Sequence, residues 1–502
     1  MKRFVAIALL LFGSFSLYAQ QWEIEYGGDG NYTRLIHGLT NAKGEAVMIG
    51  SKGVDDNSIY PMIICVDSEG NFTEKVFEVE ELFRISPVNI IQLDNGYYLV
   101  SATDLYQHMG RSIEFIILDE NLDVVSIKHH DIKPENAISI SAGRMLQNPD
   151  GTVTVSGMVR YDSPLGIGWA EKPYFLQLDE NMDTIACRFV PASSENDEND
   201  INYYNCQQLF RNPSDDGYVI ISSDGGLNGG PSILLYDSDF NYVDGHLLWQ
   251  GFEVLFEEVY SDTWLSDDEL FAMCSLAPNH TYPQRQIALS NIKLDGTINR
   301  IERICTSDEI TFQCLGTTWM KRVNDTTFYG TIQRYKDFFV DQYFKVVLFD
   351  KDMELLGQKD FDAEEYANYF SLFILTFSDG GCVFAVEDFL DGYNSGKIIK
   401  MSREDFNPIP CSVSKIPQEQ LEALAFPNPA SDEIHFDISG LPTGKEHRIS
   451  ISDAMGRTVM SRIIRGEGNV LTLGVSSLPS GIYAYRIYNA ENEIVSGKFV
   501  KE

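Results

Sequence analysis

The segment LDENLDVV (residues 118–125) returns as LDENMDTI at residues 178–185, 60 positions further along the chain. In both copies an apolar run leads into a turn rich in Asp and Asn, whose side chains hydrogen-bond the local backbone and tolerate left-handed dihedral angles. Related segments occupy the same place in a longer pattern: IICVDSEGN (63–71), ILLYDSDFN (233–241), SNIKLDGTIN (290–299), VVLFDKDME (346–354) and the degraded IIKMSREDFN (398–407). Each segment is predicted to be a β-strand followed by a tight turn.

The turns recur at intervals of 52, 60, 58, 58 and 55 residues. Their anchoring aspartates are Asp67, Asp119, Asp179, Asp237, Asp295 and Asp350. A hairpin such as LQNPDGTVTVSG (146–157) precedes each strand, and a further strand such as EKVFEV (74–79) follows it. Seven units of four short antiparallel strands predict an all-β, seven-bladed β-propeller, in which a closed circle of sheets covers every apolar face. A linear solenoid or several small sandwiches remains the alternative.

The seventh unit lacks a good fourth strand, because NPIPCSV (407–413) carries two prolines that cannot donate ladder hydrogen bonds. The segment QQWEIEYGG (20–28) has the same sequence pattern as the fourth strands of the other units. We therefore expect it to complete the last blade and close the propeller, which would span residues 20–411.

The first residues, MKRFVAIALLLFGSFSLYAQ, have a basic start, an apolar stretch and Ala19 at a cleavage position. This pattern is typical of a secretory signal peptide over residues 1–19. No later segment approaches 18 uninterrupted apolar residues, so no transmembrane segment is predicted.

The formal net charge is −36, from 74 acidic and 38 basic residues. Such a chain repels phosphate backbones, and nucleic acid is therefore excluded as a partner. The charge suits a solvated extracellular surface, and acidic cation sites are the alternative. No Cys/His spacing indicates a metal site, and the turn at Asp119 lacks the Gly and Glu of a helix–loop–helix calcium site. We expect no metal and no cofactor.

Eight cysteines follow the signal segment, and an even number in an exported chain permits disulfides. Cys65, Cys274 and Cys382 lie in apolar strand-like runs, where cysteine serves as a small buried hydrophobe. Cys305 and Cys314 are the nearest pair in sequence, and the pairing as a whole stays open.

After a linker over residues 412–423, residues 424–502 show the clean alternation of a small immunoglobulin-like β-sandwich. Four short motifs follow one another in this module: PNPASD (427–432), DAMGR (453–457), LPSGIY (478–483) and GKFVK (497–501). They resemble the motifs of the type A C-terminal sorting domain of the type IX secretion system. The matching positions are Pro427, Asn428, Pro429, Asp453, Gly456, Gly481, Tyr483, Gly497 and Lys498.

This resemblance implies that the type IX machinery is a partner and that the chain crosses the periplasm and outer membrane of a Bacteroidetes bacterium. It further implies that the module is removed near the linker, and that the passenger is released or joined to surface glycolipid. The repeats also resemble propeller repeats of exported Bacteroidetes proteins.

No catalytic motif such as GxSxG, HExxH or a P-loop stands in a suitable context, so no catalytic residue is assigned. In a propeller the long connections share one face, and loops carry function more often than strands. Aromatic side chains of these connections are the candidate ligand contacts: Tyr161, Trp169, Tyr203, Tyr204, Tyr282, Tyr335, Phe338 and Tyr393. The sequence therefore predicts a secreted or cell-surface protein that binds an unknown glycan or protein. A propeller-type hydrolase of glycans or peptides and a structural surface component are the alternatives.

Overall fold

The computed structural model describes residues 21–29, 31–55, 58–104, 112–162, 169–189, 205–223, 231–248, 254–278, 286–305, 312–336, 340–361, 369–388, 395–408, 425–438, 447–453, 458–464, 470–488 and 493–502. The chain divides into two compact units, Met1–Pro410 and Cys411–Glu502. Regular structure in the described residues is β-strand throughout, apart from two 3₁₀ turns at Glu80–Leu82 and Arg403–Asp405.

The first unit contains seven antiparallel sheets, and each of the first six begins with four consecutive strands. In the first three sheets these are β2 (Thr33–Thr40), β3 (Ala46–Asp55), β4 (Ser58–Val66), β5 (Phe72–Val76); β6 (Ile85–Gln92), β7 (Tyr98–Asp104), β8 (Ile113–Leu118), β9 (Val124–His130); and β10 (Ala137–Gln147), β11 (Val153–Asp162), β12 (Trp169–Leu178), β13 (Thr184–Phe189). In the fourth to sixth sheets they are β14 (Asn205–Arg211), β15 (Tyr218–Ser223), β16 (Ser232–Tyr236), β17 (Tyr242–Leu247); β18 (Val254–Ser266), β19 (Glu269–Pro278), β20 (Gln286–Lys293), β21 (Ile298–Cys305); and β22 (Phe312–Arg322), β23 (Thr327–Lys336), β24 (Val340–Asp350), β25 (Leu355–Asp360).

The seventh sheet takes its fourth strand from the other end of the unit. Its order is β1–β28–β27–β26, with β1 (Trp22–Gly27), β26 (Tyr369–Thr376), β27 (Cys382–Asp388) and β28 (Ser395–Met401). The pairing runs from Trp22 opposite Lys400 to Gly27 opposite Ser395. The prediction that the N-terminal segment completes the last sheet is confirmed. The proline-bearing segment instead adds β29 (Asn407–Pro408) to the outer edge of the sixth sheet.

The repeated turn has the same construction in successive sheets. In the second sheet, the Asp119 carboxylate accepts hydrogen bonds from the backbone N–H groups of Asn121 (2.8 Å) and Asp123 (2.9 Å). These bonds hold the pKa of Asp119 below its usual value, because they favour the charged carboxylate. Leu122, at the tip, has φ of 63° and is buried. Residues at this tip position with positive φ are Leu122, Met182, Phe240 and Met353.

These tip side chains explain why the segment is repeated. Each one is buried in the apolar cluster that joins its own sheet to the preceding one. The outer strand of the preceding sheet also reaches the turn: the Nζ of Lys75 lies 2.6 Å from Asp123, and that of Lys128 lies 2.8 Å from Asp183. The turn therefore fixes one sheet against the next as well as reversing the chain.

Seven clusters of buried apolar side chains each join two consecutive sheets. The last of them packs Phe373 and Leu375 of the seventh sheet against Leu35 and Met48 of the first. Every sheet is thus covered on both faces by its neighbours in cyclic order, which is a propeller-like arrangement. Removal of this apolar surface from water is the main stabilising contribution to such a fold.

The second unit has two sheets around one apolar cluster. The first sheet has the order β30–β31–β34 and the second β33–β32–β35–β36. Their bounds are β30 (Ala425–Phe426), β31 (Glu433–Asp437), β32 (His447–Ser452), β33 (Thr458–Ile464), β34 (Val470–Gly474), β35 (Gly481–Tyr488) and β36 (Glu493–Lys501).

Candidate functional site

The first strand of every sheet in the first unit is interrupted near its middle. The register breaks lie at Leu35/His37, Pro87/Asn89, Ser141/Arg144, Cys206/Gln208, Ser261/Thr263, Leu315/Trp319 and Ser371/Phe373. An irregularity of this kind leaves backbone groups outside the ladder and re-aims the side chains beside it. The break therefore gives every sheet a comparable irregular position, and β10 and β18 contain further breaks besides.

Side chains from the preceding sheet satisfy several of the backbone groups near these breaks. Thr103 Oγ1 accepts from the N–H of Ala142 at 2.8 Å, and Asn89 Oδ1 accepts from the N–H of Met145 at 3.1 Å. Gln208 Oε1 likewise accepts a hydrogen bond from the N–H of Ser261 at 2.6 Å. These side chains therefore link consecutive sheets by hydrogen bonds close to the register breaks.

Six side chains on the first strands of five sheets form a group that we call the central cluster: His37, Asn89, Arg144, Tyr260, Trp319 and Lys321. The Trp319 ring stacks on Tyr260 with centroids 5.0 Å apart and meets the His37 ring edge-on at 6.1 Å. The guanidinium carbon of Arg144 lies 5.7 Å from the Trp319 centroid. Asn89 Nδ2 is 3.4 Å from both nitrogens of His37.

These contacts place the cluster in the middle of the cyclic arrangement. Trp319 belongs to the sixth sheet, whereas His37 belongs to the first and Arg144 to the third, and neither of those sheets neighbours the sixth. Sheets that are not neighbours can touch only across the centre. His37, Arg144 and Trp319 are nevertheless only partly buried. Solvent therefore reaches the place where these side chains converge.

The cluster carries positive charge and many hydrogen-bond donors. Burial lowers the pKa of His37 well below its usual value, and the nearby charges of Arg144 and Lys321 lower it further. His37 is therefore neutral at physiological pH. The indole N–H of Trp319 has no hydrogen-bond acceptor within the part of the chain that the structure describes. The centre offers cations, amide and indole donors, and an aromatic surface.

A buried carboxyl group lies at the contact between the last sheet and the first. Glu387 Oε1 accepts a hydrogen bond from the N–H of Leu35 at 2.6 Å, and its Oε2 lies 3.6 Å from Nε of Arg34. Burial raises the pKa of Glu387 to about 8, although the Arg34 charge and the Leu35 bond oppose that shift. Glu387 is therefore an ionisable group whose hydrogen bond links the seventh sheet to the first.

A second buried carboxyl group, Glu171 of the third sheet, is paired with Arg160 on the adjacent strand. Burial raises the pKa of Glu171, and the Arg160 pair opposes the shift. Within the described residues, no group of three or more His, Cys, Asp or Glu side chains is arranged to hold a metal ion.

Three of the eight aromatic residues predicted as ligand contacts lie in β-strands. Tyr161 lies in β11 with 7% of its surface exposed, packed between the second and third sheets. This placement corrects its predicted position on a ligand-binding loop, because the strand continues further than the sequence pattern indicates. Trp169 begins β12 and Tyr335 lies in β23. Tyr203, Tyr204, Tyr282, Phe338 and Tyr393 lie outside the described residues, as do the signal segment 1–19 and the linker 412–423.

Four cysteines are free thiols: Cys65, Cys187, Cys274 and Cys382. Cys274 and Cys382 are buried apolar groups, as the sequence predicts, while Cys65 is only partly buried. Burial raises the pKa of the Cys65 thiol to about 12, so that thiol is inert as a nucleophile. The Cys305–Cys314 pairing stays a prediction, because both side chains lie outside the described set.

In the second unit, the first and last sorting motifs meet. Asn428 Oδ1 accepts a hydrogen bond from the N–H of Val500 at 2.9 Å, and Ala430 N–H donates to the Val500 carbonyl at 2.8 Å. The peptide bonds before Pro427 and Pro429 are cis. The PNP segment is therefore held against the C-terminal strand.

Further motif residues have structural partners in the same unit. The Tyr483 hydroxyl donates to the Pro479 carbonyl at 2.8 Å, and its ring stacks on Phe499. Gly497 pairs with Tyr485, whose ring occupies the space that a side chain at position 497 would need. Gly481 and Lys498 are exposed, Asp453 is partly buried, and Gly456 lies outside the described part of the chain.

No helix among the described residues is long and apolar enough to cross a membrane. Comparison with curated proteins gives no match to this sequence. Among solved structures, the chain is similar at low identity to many proteins, including the following three. The first is Pyrococcus horikoshii acylaminoacyl peptidase, with 12% identity over 81% of this chain and 57% of that chain and a TM-score of 0.41. The second is the β-propeller domain of the Trilobed protease from Pyrococcus furiosus, with 10% identity over 77% of this chain and 100% of that chain and a TM-score of 0.40. The third is the NanB sialidase from Streptococcus pneumoniae, with 10% identity over 75% of this chain and 69% of that chain and a TM-score of 0.38. The chain spans less than two thirds of the length of the acylaminoacyl peptidase.

Residues 424–502 match the family model described as "Secretion system C-terminal sorting domain". The match covers the whole predicted module and coincides with the motifs that meet at Asn428 and Val500. The C-terminal unit is therefore a type IX secretion sorting domain, which indicates export to the cell surface or secretion.

Proposed function

We propose that residues 20–411 form a seven-bladed β-propeller that binds a glycan or protein ligand outside the cell. Residues 424–502 would be an immunoglobulin-like sandwich through which the type IX machinery of a Bacteroidetes bacterium exports the propeller, after removal of the signal peptide at residue 19. The seven clusters between consecutive sheets support the blade count.

The observation that carries the binding function is the central cluster. Side chains from five sheets converge there, and the partly exposed ones present an indole, an imidazole and two cations above a buried phenol and amide. Aromatic surfaces beside polar donors are typical of ligand sites that combine apolar contact with orientation. The predicted loop aromatics, apart from Tyr161, would extend this site at its mouth.

A binding experiment tests the proposal directly. The secreted protein is applied to a glycan array and to extracellular protein fractions, alongside a Trp319→Ala variant and a Trp264→Ala control. Trp264 packs against Phe210 between the fourth and fifth sheets, away from the cluster. A ligand retained by the wild type and the control but lost by Trp319→Ala supports the proposal. Hydrolysis of the ligand would replace it with the enzyme alternative, and equal retention by all three proteins would contradict it.

Export is tested separately by mass spectrometry of cells and culture medium. The expected species begins at Gln20 and ends near residue 420, either free or joined to glycolipid. An intact C-terminus on a periplasmic protein would contradict the proposed processing.

A further inference from the structure

The donor-rich side of the central cluster indicates the kind of ligand that fits it. Arg144, on the third sheet, approaches the Trp319 ring. Lys321 stands two positions after Trp319 on β22, so both lie on one face of that strand. Both cations act electrostatically on the His37 ring from different sheets. Their charges therefore converge on one point.

The neutral groups of the cluster add further donors. Because Asn89 Oδ1 accepts from the N–H of Met145, its Nδ2 amide group is the end that faces His37. The indole N–H of Trp319 is without an acceptor in the described part of the chain. A ligand that pairs with the indole N–H must offer a hydrogen-bond acceptor, and an anion gains additional energy from the two cations.

We propose that the central cluster binds a small acidic saccharide, with the carboxylate of the sugar held between Arg144, Lys321 and the indole N–H of Trp319. This inference rests on the proposed binding function. An arginine can hold a carboxylate through two parallel hydrogen bonds, and a lysine adds a point charge. The partly exposed ring of Trp319, which stacks on the buried Tyr260, supplies an apolar surface for the C–H groups of a sugar.

The charge of the rest of the chain limits the size of the ligand. Residues 424–502 hold eight basic and nine acidic side chains, so almost all of the net charge of −36 belongs to the residues before them. A long polyanion would be repelled by that surface. A short saccharide would depend on the nearest charges, because exposed charges beyond about 10 Å are largely screened at physiological ionic strength. The fitting ligand is therefore a terminal or short acidic sugar.

Calorimetric titration of the full exported chain tests this inference with four probes: trigalacturonate, neutral galactotriose, a sulfated disaccharide and the tripeptide Gly-Gly-Gly. The acidic trisaccharide should bind at least tenfold more tightly than the neutral one, and its affinity should fall as salt is raised. Arg144→Gln and Lys321→Gln should each weaken binding about tenfold. Trp319→Phe, which keeps a ring and removes the N–H, should weaken it several-fold. Lys75→Gln, which removes a charge on an outer strand, should bind like the wild type.

The outcomes separate this inference from the proposed function. Equal binding of galactotriose, or unchanged binding by both cation variants, would leave a binding protein but overturn the acidic ligand. Tighter binding of the tripeptide would assign the site to peptide carboxylates, and tighter binding of the sulfated sugar would assign it to sulfate. If no probe binds while another ligand is lost by Trp319→Ala, the acidic saccharide is wrong and the binding function stands. Thermal unfolding of each variant identifies a loss caused by misfolding, and the salt dependence of the wild type remains an independent test.

Discussion

Glu387 and Leu35 are 352 positions apart in the chain, yet the carboxyl Oε1 of the first accepts a 2.6 Å hydrogen bond from the backbone N–H of the second. The bond joins the last sheet to the first at a register break in β2. The Glu387 side chain is fully buried. The contact that closes the circle of sheets thus includes an ionisable group with a raised pKa.

The stability of the first unit should depend on the ionisation of Glu387. Its pKa is about 8 in the folded chain and 4.5 at its ordinary value, so the folded state holds the proton more tightly. Between pH 4.5 and 8 the unfolded chain loses this proton first, and the contribution of Glu387 to the free energy of unfolding falls as pH rises. Urea unfolding across this range should show the fall, by as much as a few kcal/mol.

The Glu387→Gln variant isolates this contribution. Glutamine keeps the oxygen that accepts from Leu35 and has no proton to lose, so its free energy of unfolding should not fall across the same window. The exposed Glu404 provides a matched control, and Glu404→Gln should follow the wild-type curve. Parallel curves for the wild type and Glu387→Gln would show that burial does not raise this pKa.

Two threonines of the second strands should respond oppositely to the same substitution. Thr103 accepts the N–H of Ala142, so Thr103→Val leaves a buried donor unpaired and should destabilise the first unit by about 1–3 kcal/mol. The hydroxyl of Thr331 is buried without a hydrogen-bond partner among the described residues, so Thr331→Val should be neutral or stabilising. Denaturant unfolding of both variants measures the difference. Similar losses for the two would refute the bridging role of Thr103.

Trp22 should fasten β1 to the first sheet as well as to the seventh. Its indole N–H donates to the Ser68 carbonyl at 3.2 Å, and its ring lies 6.4 Å from that of Phe377. Trp22→Ala should destabilise the first unit by roughly 2–3 kcal/mol, less than the ~3–5 kcal/mol of a fully buried tryptophan, because Trp22 is only partly buried.

Hydrogen exchange gives the local readout for Trp22→Ala. Amide protection should fall in β28, which pairs with β1, and stay unchanged in β11. Trp22→Phe keeps part of the packing and should lose only about 1 kcal/mol. Uniform loss of protection across both strands would point to global destabilisation instead of an opened last sheet.

Gly497 should be essential to the sorting domain because of the Tyr485 ring. A Cβ atom at position 497 would lie 2.5 Å from Cζ of Tyr485, closer than van der Waals contact permits. Gly497→Ala should therefore destabilise the C-terminal unit by about 1–3 kcal/mol and reduce export. Adding Tyr485→Leu should recover part of the loss, measured as the amount of chain in the medium. An alanine variant exported at the wild-type level would contradict this role.

The sequence predicts the repeated turns and the strand pattern because those features are local. It also predicts that the N-terminal segment completes the last sheet, because Pro408 and Pro410 make the following segment a poor fourth strand. It also predicts the sorting domain, whose motifs are short and ordered. The burial of Leu122 and Met182 at the turn tips is harder to predict. In the sequence these residues occupy positions of a tight turn, which are ordinarily exposed, and a bulky apolar residue rarely adopts positive φ.

The central cluster could not be predicted from separate motifs, because its members come from sheets distant in sequence and each is a single polar or aromatic residue in a strand. A positional signal does exist. His37, Asn89 and Arg144 each stand seven residues before the turn glycine of their hairpin, at Gly44, Gly96 and Gly151. Unusual residues at one repeat position indicate a shared location, although contact across the centre requires the three-dimensional arrangement.

The partnership between Trp22 and Lys400 sets the order of events during biosynthesis. The first strand to leave the ribosome must wait until about 375 further residues have been made before its hydrogen-bonding neighbour exists, whereas the other sheets can assemble from strands adjacent in the chain. The edges of β1 therefore stay unpaired while most of the chain is being made, and during that interval this polypeptide is most exposed to pairing with the wrong strand.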